Sequence, residues 1–530
     1  MAWVAQGAMA RRGRIDVLAD DADVMPPAPN CLLSSLSSVP GRVRRPEHGV
    51  HMSHNPGAPW AFTLTIGGRP VAGGPTFDVI NPATGRVVAA APDCTREQLD
   101  EAVTAARAAF PAWAALAVAE RRRLLVSMAD AVDEHTQELA GLVVLEQGKP
   151  RPVAVAEVAG LALWLRQTAG LELPETVNQD DGERWSVTRR LPLGVVAAIT
   201  PWNYPVGQAS FKVGPALLAG NTVVLKPSAF TPLANLRLGE VWRDLLPAGV
   251  MNVVAGSGSL GSWVTGHPGF DKISFTGSTQ TGRKVMASAA QRLARVTLEL
   301  GGNDAAIVLP DVDVKEVAPQ LFWAAFANSG QICLATKRLY VHEDVYDDLA
   351  CELVRLAEQA RVGDPSESEV DLGPVSNRRQ YETVVSLLRD CRDRGYRFLT
   401  GGLPEDGGGG WFVAPTLVDD PPESSRIVRE EQFGPVLPLL KYRDMDDAVQ
   451  RANAGEYALG ASVWAGDPEA GQEVAAQLEA GTVWVNEVMH LDPLVPFGGR
   501  KQSGIGVESG LAGLLEFTEP QTLSVRRSRR

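Results

Sequence analysis

The sequence predicts an α/β chain built on parallel sheets, with a surface hairpin and a frayed tail outside them. Three observations carry this. Between 195 and 300, short β-rich runs alternate with helical stretches, a pattern that requires right-handed crossovers and a parallel sheet. A second alternation of strand and helix follows from 305 to 486. Two segments, 183–191 and 517–525, alternate polar and apolar residues and fit neither block. At 530 residues the chain exceeds one small core and predicts two or three domains.

The elements follow in order. Residues 62–66 and 77–80 read as short strands, punctuated by Gly67-Gly68 and by Asn81-Pro82. Thr95 with Gln98 has capping-box spacing and opens an Ala-rich helix. Further helices are expected over 120–134, 137–147 and 153–171, the second stopping at Gly148-Lys149-Pro150. The strands of the first block are 195–200, 222–226, 251–254, 272–275 and 296–300, with helices over 233–246 and 279–290. In the second block, strands are expected at 305–309, 338–341, 436–440, 459–464 and 482–486. Its helices fall at 314–328, 343–360 and 378–394. The run 407–410 is a glycine loop.

Composition narrows the function. Hydrophobic content of 45% and charged content of 21% are those of a globular protein. A net charge of −13 argues against nucleic acid and against an anionic membrane surface as partners. No apolar run approaches the roughly 20 residues that span a bilayer. Cys31, Cys94, Cys333, Cys351 and Cys391 lack metal-ligand or CxxC spacing, which fits a reducing cytoplasmic location. The histidines form no HExxH pair, and His48, His51 and His54 cluster where no element is expected, so no metal site is predicted. Residues 1–57 read as a disordered extension broken by Pro and Ser. Acids at Asp16, Asp20, Asp21 and Asp23 occupy the place of a signal-peptide core, and Met52 is an alternative start.

Cys333 ends the run Asn328-Ser329-Gly330-Gln331-Ile332-Cys333, and Glu299 closes a strand pattern in LELGGND. A thiol and a carboxylate at the ends of separate elements suit thiolate attack followed by general-base hydrolysis. Either alone is weak evidence, since a lone Cys is more often a small buried apolar residue. Four more runs decide the reading: TPWNYP at 200–205, FTGS at 275–278, EEQFGPV at 430–436 and PFGGRKQSG at 496–504. In this order the six runs resemble the aldehyde dehydrogenase superfamily, NAD(P)-dependent, over residues 58–527.

The resemblance implies an aldehyde dehydrogenase-like fold, with a Rossmann-type cofactor domain, an α/β catalytic domain and a small β oligomerisation arm. The expected boundaries are 58–173 with 193–301 for the cofactor domain, 302–502 for the catalytic domain, and 174–192 with 514–527 for the arm. By the same resemblance the arm pairs strands between subunits of a homodimer or homotetramer.

The resemblance also assigns roles. Cys333 is the nucleophile, Glu299 the base that activates water, Asn203 an oxyanion donor and Glu508 in GIGVESG a proton relay. Trp202, Lys226, Ser228, Ser278, Glu431 and Phe433 contact NAD or NADP. Tyr204, Gln208, Phe211, Ile332, Leu334, His490, Leu491 and Phe497 line a substrate tunnel. No Arg or Lys is among them, which favours an uncharged aliphatic or aromatic aldehyde over a carboxylate-bearing one. The run 256–261 spells GxGxxG but reads better as loop geometry than as a phosphate fingerprint. Two positions depart from the family. Ala229 stands where Glu often holds the adenosine ribose, and Asn303 where Lys usually follows ELGG. The competing readings are a CoA-acylating relative, which generally lacks the base, and a non-catalytic structural protein on the same fold.

Overall fold

The computed structural model describes residues 61–367, 369–404 and 409–527. The N-terminal extension, Cys31, His48, His51, His54 and part of the 407–410 loop lie outside them.

Two parallel sheets organise the chain. The first has eight strands, and its centre is the parallel set Met251–Val253, Thr222–Lys226, Val195–Ile199, Lys272–Thr276 and Arg295–Glu299 in spatial order. These strands are buried on both faces, so they read as continuous apolar runs rather than alternating ones. Strand order reverses between Val195–Ile199 and Lys272–Thr276, which opens a crevice at their carboxyl ends. The edges are antiparallel. Leu64–Ile66 and Arg69–Val71 close one side, and Gly504–Ile505 returns from late in the chain to close the other against Glu299.

The second sheet has seven strands. Asp304–Val308 lies near its middle, between Thr336–His342 and Gly460–Trp464. All its pairs are parallel except the edge pair Arg397–Thr400 with Thr416–Asp419.

The capping box is formed: Thr95 Oγ1 accepts from Gln98 N, and Gln98 Oε1 accepts from Thr95 N at 3.0 Å. The helix expected over 153–171 runs Arg151–Ala169, because Pro150 and Pro152 favour a helix start. The helix expected to 328 stops at Phe326. Asn328 and Ser329 take φ of 51° and 55°, a left-handed kink that no periodicity marks.

The arm is a three-stranded sheet in the order Thr518–Arg526, Arg184–Pro192, Thr176–Asp180. Its two predicted segments pair with one another inside one chain, from Thr518↔Pro192 to Arg526↔Arg184. The outer strands Thr518–Arg526 and Thr176–Asp180 are the edges of this sheet. Among the described residues, no helix is long and apolar enough to cross a membrane, and no group of His, Cys, Asp or Glu is placed to hold a metal ion.

Candidate active site

A cavity of about 530 Å³ opens between the helices Arg151–Ala169 and Gly207–Ala219, with residues 332–334 and 489–494 completing its wall. Seven of the eight expected tunnel residues line it: Tyr204, Gln208, Phe211, Ile332, Leu334, His490 and Leu491. Phe497 does not. It packs behind the tunnel among Ile332, Leu334 and Trp484, and its backbone pairs with Glu508 in both directions. Its apolar ring fits a tunnel wall equally well on sequence alone, but the bridge to Glu508 turns it away. The helix Arg151–Ala169 was missed as a wall. It contributes Ala156, Gly160 and Trp164, and Trp164 packs edge-on against Phe211 with ring centroids 5.4 Å apart.

Cys333 sits in the cavity lining and keeps partial exposure. Burial pushes its thiol up to about 12; Lys337 opposes this, while Glu299, Asp304 and Glu431 add to it. Asn203 also lines the cavity and is 6% exposed. Its Nδ2 donates to Gln331 O at 2.9 Å, which ties it to the turn before Cys333. Its carbonyl accepts from Lys149 Nζ and Asn328 Nδ2. Lys149 in turn pairs with Glu157, whose carboxylate accepts from Val206 N and Gly207 N at the start of the next helix. These supports were missed because a Lys and a Glu near helix ends read as solvated.

Glu299 lies off the cavity lining but close enough to act on the thiol. It is 4% exposed, and its Oε1 has no partner among the described residues. Burial raises its pKa well above the ordinary range, the neighbouring Glu508 raises it further, and Lys212 lowers it. Glu508 Oε1 accepts from Lys212 Nζ at 2.6 Å, and Lys212 also donates to Thr276 Oγ1 at 2.7 Å. The arrangement is a carboxyl of raised pKa beside a buried ion pair, and Lys212 is a participant that sequence reasoning did not identify.

The expected cofactor residues collect at the crevice. Lys226 ends one strand, is 9% exposed, and donates to Pro227 O; burial lowers it to about 8. Ser228 Oγ accepts from Phe230 N, and Ala229 lies half-buried beside it. Ser278 caps the helix Thr279–Ala290, accepting from Thr281 N. Trp202 and Phe433 meet edge to face at 5.2 Å. Glu431 Oε1 accepts from Gly302 N at 2.9 Å, while its Oε2 lies where a Cβ on Gly301 would come within 2.3 Å. A cation with donors to spare, a helix N-terminus and an aromatic pair in sequence along one crevice fit a nicotinamide dinucleotide. The GxGxxG run does not fit. Asp93 takes Ser257 N and Ser257 Oγ, and the helix that follows, Leu260–Gly266, is short. At 303, Asn303 Nδ2 donates to Val428 O at 2.8 Å, tying the strand start to a neighbouring turn.

Two sheets of mainly parallel strands flank a cavity that holds a thiol, with a buried carboxyl nearby and a strand-end crevice at the reversal of strand order. By sequence, residues 71–523 match the model of the aldehyde dehydrogenase family. The mitochondrial aldehyde dehydrogenase of Leishmania tarentolae is 41% identical over 468 residues, covering 87% of this chain and 94% of its own. The phenylacetaldehyde dehydrogenase of Pseudomonas fluorescens is 40% identical over 465 residues, covering 85% and 92%. The structure of a Bacillus cereus aldehyde dehydrogenase in complex with NAD+ superimposes with a TM-score of 0.86 at 37% identity, covering 88% of this chain and 97% of the other. The chain belongs to the aldehyde dehydrogenase family and is an oxidoreductase of aldehydes.

Proposed function

We propose that this enzyme oxidises an uncharged aldehyde to the carboxylic acid with NAD or NADP, through a thiohemiacetal and then a thioester on Cys333. The observation that carries the reading is the convergence of Cys333 and Asn203 on one cavity, with Glu299 acting on the thiol from beside it. The Cys333 thiolate attacks the carbonyl carbon, forming the C–S bond and leaving an alkoxide. The Asn203 amide, held by Gln331 O, and the Cys333 N–H donate to that oxygen, each worth roughly 10²–10³ in rate. NAD or NADP, when bound, supplies the hydride acceptor. Trp202, Lys226, Ser228, Ser278, Glu431 and Phe433 would hold it. Water then adds to the thioester as Glu299 takes its proton, and the C–S bond breaks to return the thiolate. Burial raises the pKa of this base above the ordinary carboxyl range, which strengthens it as a proton acceptor. Glu508 and Lys212 relay the proton onward.

Several features support the substrate class. The charged groups of the cavity wall, Glu157 and Asp492, are acidic, and neither Lys nor Arg faces it. The Trp164–Phe211 pair offers an aromatic wall. The phenylacetaldehyde relative makes an arylacetaldehyde the first substrate to test. We assign residues 58–173 and 193–301 to the cofactor-binding domain, 302–502 to the catalytic domain, and 174–192 and 514–527 to the arm. We assign assembly into a dimer or tetramer to the arm, whose outer strands Thr176–Asp180 and Thr518–Arg526 are exposed nearly throughout, and the free thiols fit the cytoplasm.

The test is turnover of an aldehyde panel, followed as reduced cofactor without CoA. Cys333→Ala should abolish oxidation while cofactor binding persists; Cys94→Ala, Cys351→Ala and Cys391→Ala should retain most activity. Substantial turnover by Cys333→Ala overturns the mechanism.

A further inference from the structure

Lys337 is the second residue of the strand Thr336–His342, and its side chain is 3% exposed. It does not reach solvent. It folds back on the turn that carries Cys333. Its Nζ donates to Ile332 O and Cys333 O at 2.8 Å each, and to Ala335 O at 3.3 Å. Those three bonds use all three ammonium protons. The turn is closed by Ala335 N donating to Ile332 O at 3.2 Å, so three carbonyls of one tight turn point inward at one cation. Glu431 Oε1 stands 3.9 Å from the same nitrogen, and the Phe433 ring centroid 6.0 Å.

We infer that Lys337 is the positioning residue of the nucleophile: it grips the 332–335 turn so that Cys333 faces the tunnel, and it supplies the positive charge that favours the thiolate. The inference rests on the reading of Cys333 as nucleophile. Two arguments carry it. The first is geometric. One donor group serves three carbonyls, so removing it takes a bond from Cys333 O and Ala335 O and leaves Ile332 O with Ala335 N alone. The second is electrostatic. The ionisable groups acting on the thiol are Lys337, Glu299, Asp304 and Glu431, so Lys337 is the cation among three carboxyls. Tyr204 also feels the thiol. Arg338, the next residue, is spent on Asn303 O, Ala452 O and Arg451 O. Position 303 is an uncharged Asn whose amide is turned to Val428 O, so it offers Cys333 no charge. The strand Thr336–His342 therefore brings a cation to the turn that carries Cys333, in addition to Lys149 beside Asn203 and Lys212 beside Glu508.

The test reads the thiol directly. In full-length protein carrying Cys31→Ser and Cys351→Ser, alkylation of Cys333 by iodoacetamide is followed by peptide mass as a function of pH. Lys337→Met should raise the pH midpoint by about one unit or more, and slow alkylation near neutrality by about tenfold. kcat should fall by at least that factor while KM for the aldehyde changes by less than about twofold. Lys337→Arg keeps the charge and should keep the midpoint, but its planar fork cannot match three converging carbonyls, so kcat should still fall. A parent-like midpoint in Lys337→Met overturns the inference. Should that variant not fold, Lys337→Gln is read in the same way, and full kcat in Lys337→Arg overturns the grip. Failure of the nucleophile reading is distinguishable: it appears as turnover by Cys333→Ala, and leaves the alkylation midpoints unaffected.

Discussion

Lys212→Met is the most informative single perturbation of this structure. Lys212 is fully buried and bonds Glu508 at 2.6 Å, whose side chain is 3% exposed. At that distance and an effective dielectric near 20, unit charges attract by about 6 kcal/mol before desolvation is subtracted. Desolvation of both ions offsets much of this, so the pair's net contribution is far smaller. Removing the cation alone is different. It strands a buried carboxylate and takes a donor from Thr276 Oγ1, and such breaks cost about 3–5 kcal/mol. Lys212→Met with Glu508→Gln removes both charges and should recover about 1–3 kcal/mol of that loss as a coupling energy.

Urea unfolding followed by tryptophan fluorescence, for the parent, each single variant and the double variant, measures both quantities. A deficit below about 1 kcal/mol, or strict additivity of the two substitutions, would refute the reasoning. Glu508→Gln adds a kinetic reading. Glu508 is one of the causes that raise Glu299, so its neutralisation should move the acidic limb of deacylation to lower pH.

Glu299→Gln should form the acyl-enzyme and hydrolyse it slowly, giving a burst of reduced cofactor equivalent to the active sites; loss of the burst with the turnover would mean that Glu299 acts earlier. Ala229 leaves the crevice beside Lys226 without a carboxylate to repel a 2′-phosphate, so NADP should be accepted and Ala229→Glu should shift the kcat/KM ratio toward NAD; an unchanged ratio in a parent that already rejects NADP sinks the argument. Truncation after Glu516 deletes the strand Thr518–Arg526 and uncovers Arg184–Pro192, and sedimentation should then show loss of the oligomer; an intact oligomer would remove the arm from assembly.

The central strands were legible because burial on both faces leaves long apolar runs, as in Val195–Ile199 and Lys272–Thr276. Cys333 and Glu299 were legible through the order of short runs around them rather than through their own chemistry. What stayed hidden depends on distance. Lys212 meets Glu508 from 296 positions away, and no local pattern separates it from a solvated lysine. Lys337 reads as a polar residue entering a strand until the turn at 332–335 folds over it. Phe497 was misplaced because an aromatic ring suits a tunnel and its far wall alike, and only the backbone bridge to Glu508 chooses between them. The left-handed Asn328 and Ser329 interrupt a helix that composition alone extends.

The strand Gly504–Ile505 has a consequence for synthesis. It pairs with Leu298 and Glu299, and Leu300 N donates to Ser503 O. The edge that pairs with Glu299 is thus written near the end of the gene, while Glu299 itself is written near the middle. On the ribosome the first sheet emerges with that edge bare, a non-local pairing of the kind that slows folding and exposes an unpaired strand. Lys212, made earlier still, waits for the same late segment to deliver Glu508. A nascent chain holding all of residues 61–490 would carry Cys333 and the strand of Glu299 without the edge strand or Glu508, so on the proposed mechanism the hydrolytic half is completed only as the last residues dock.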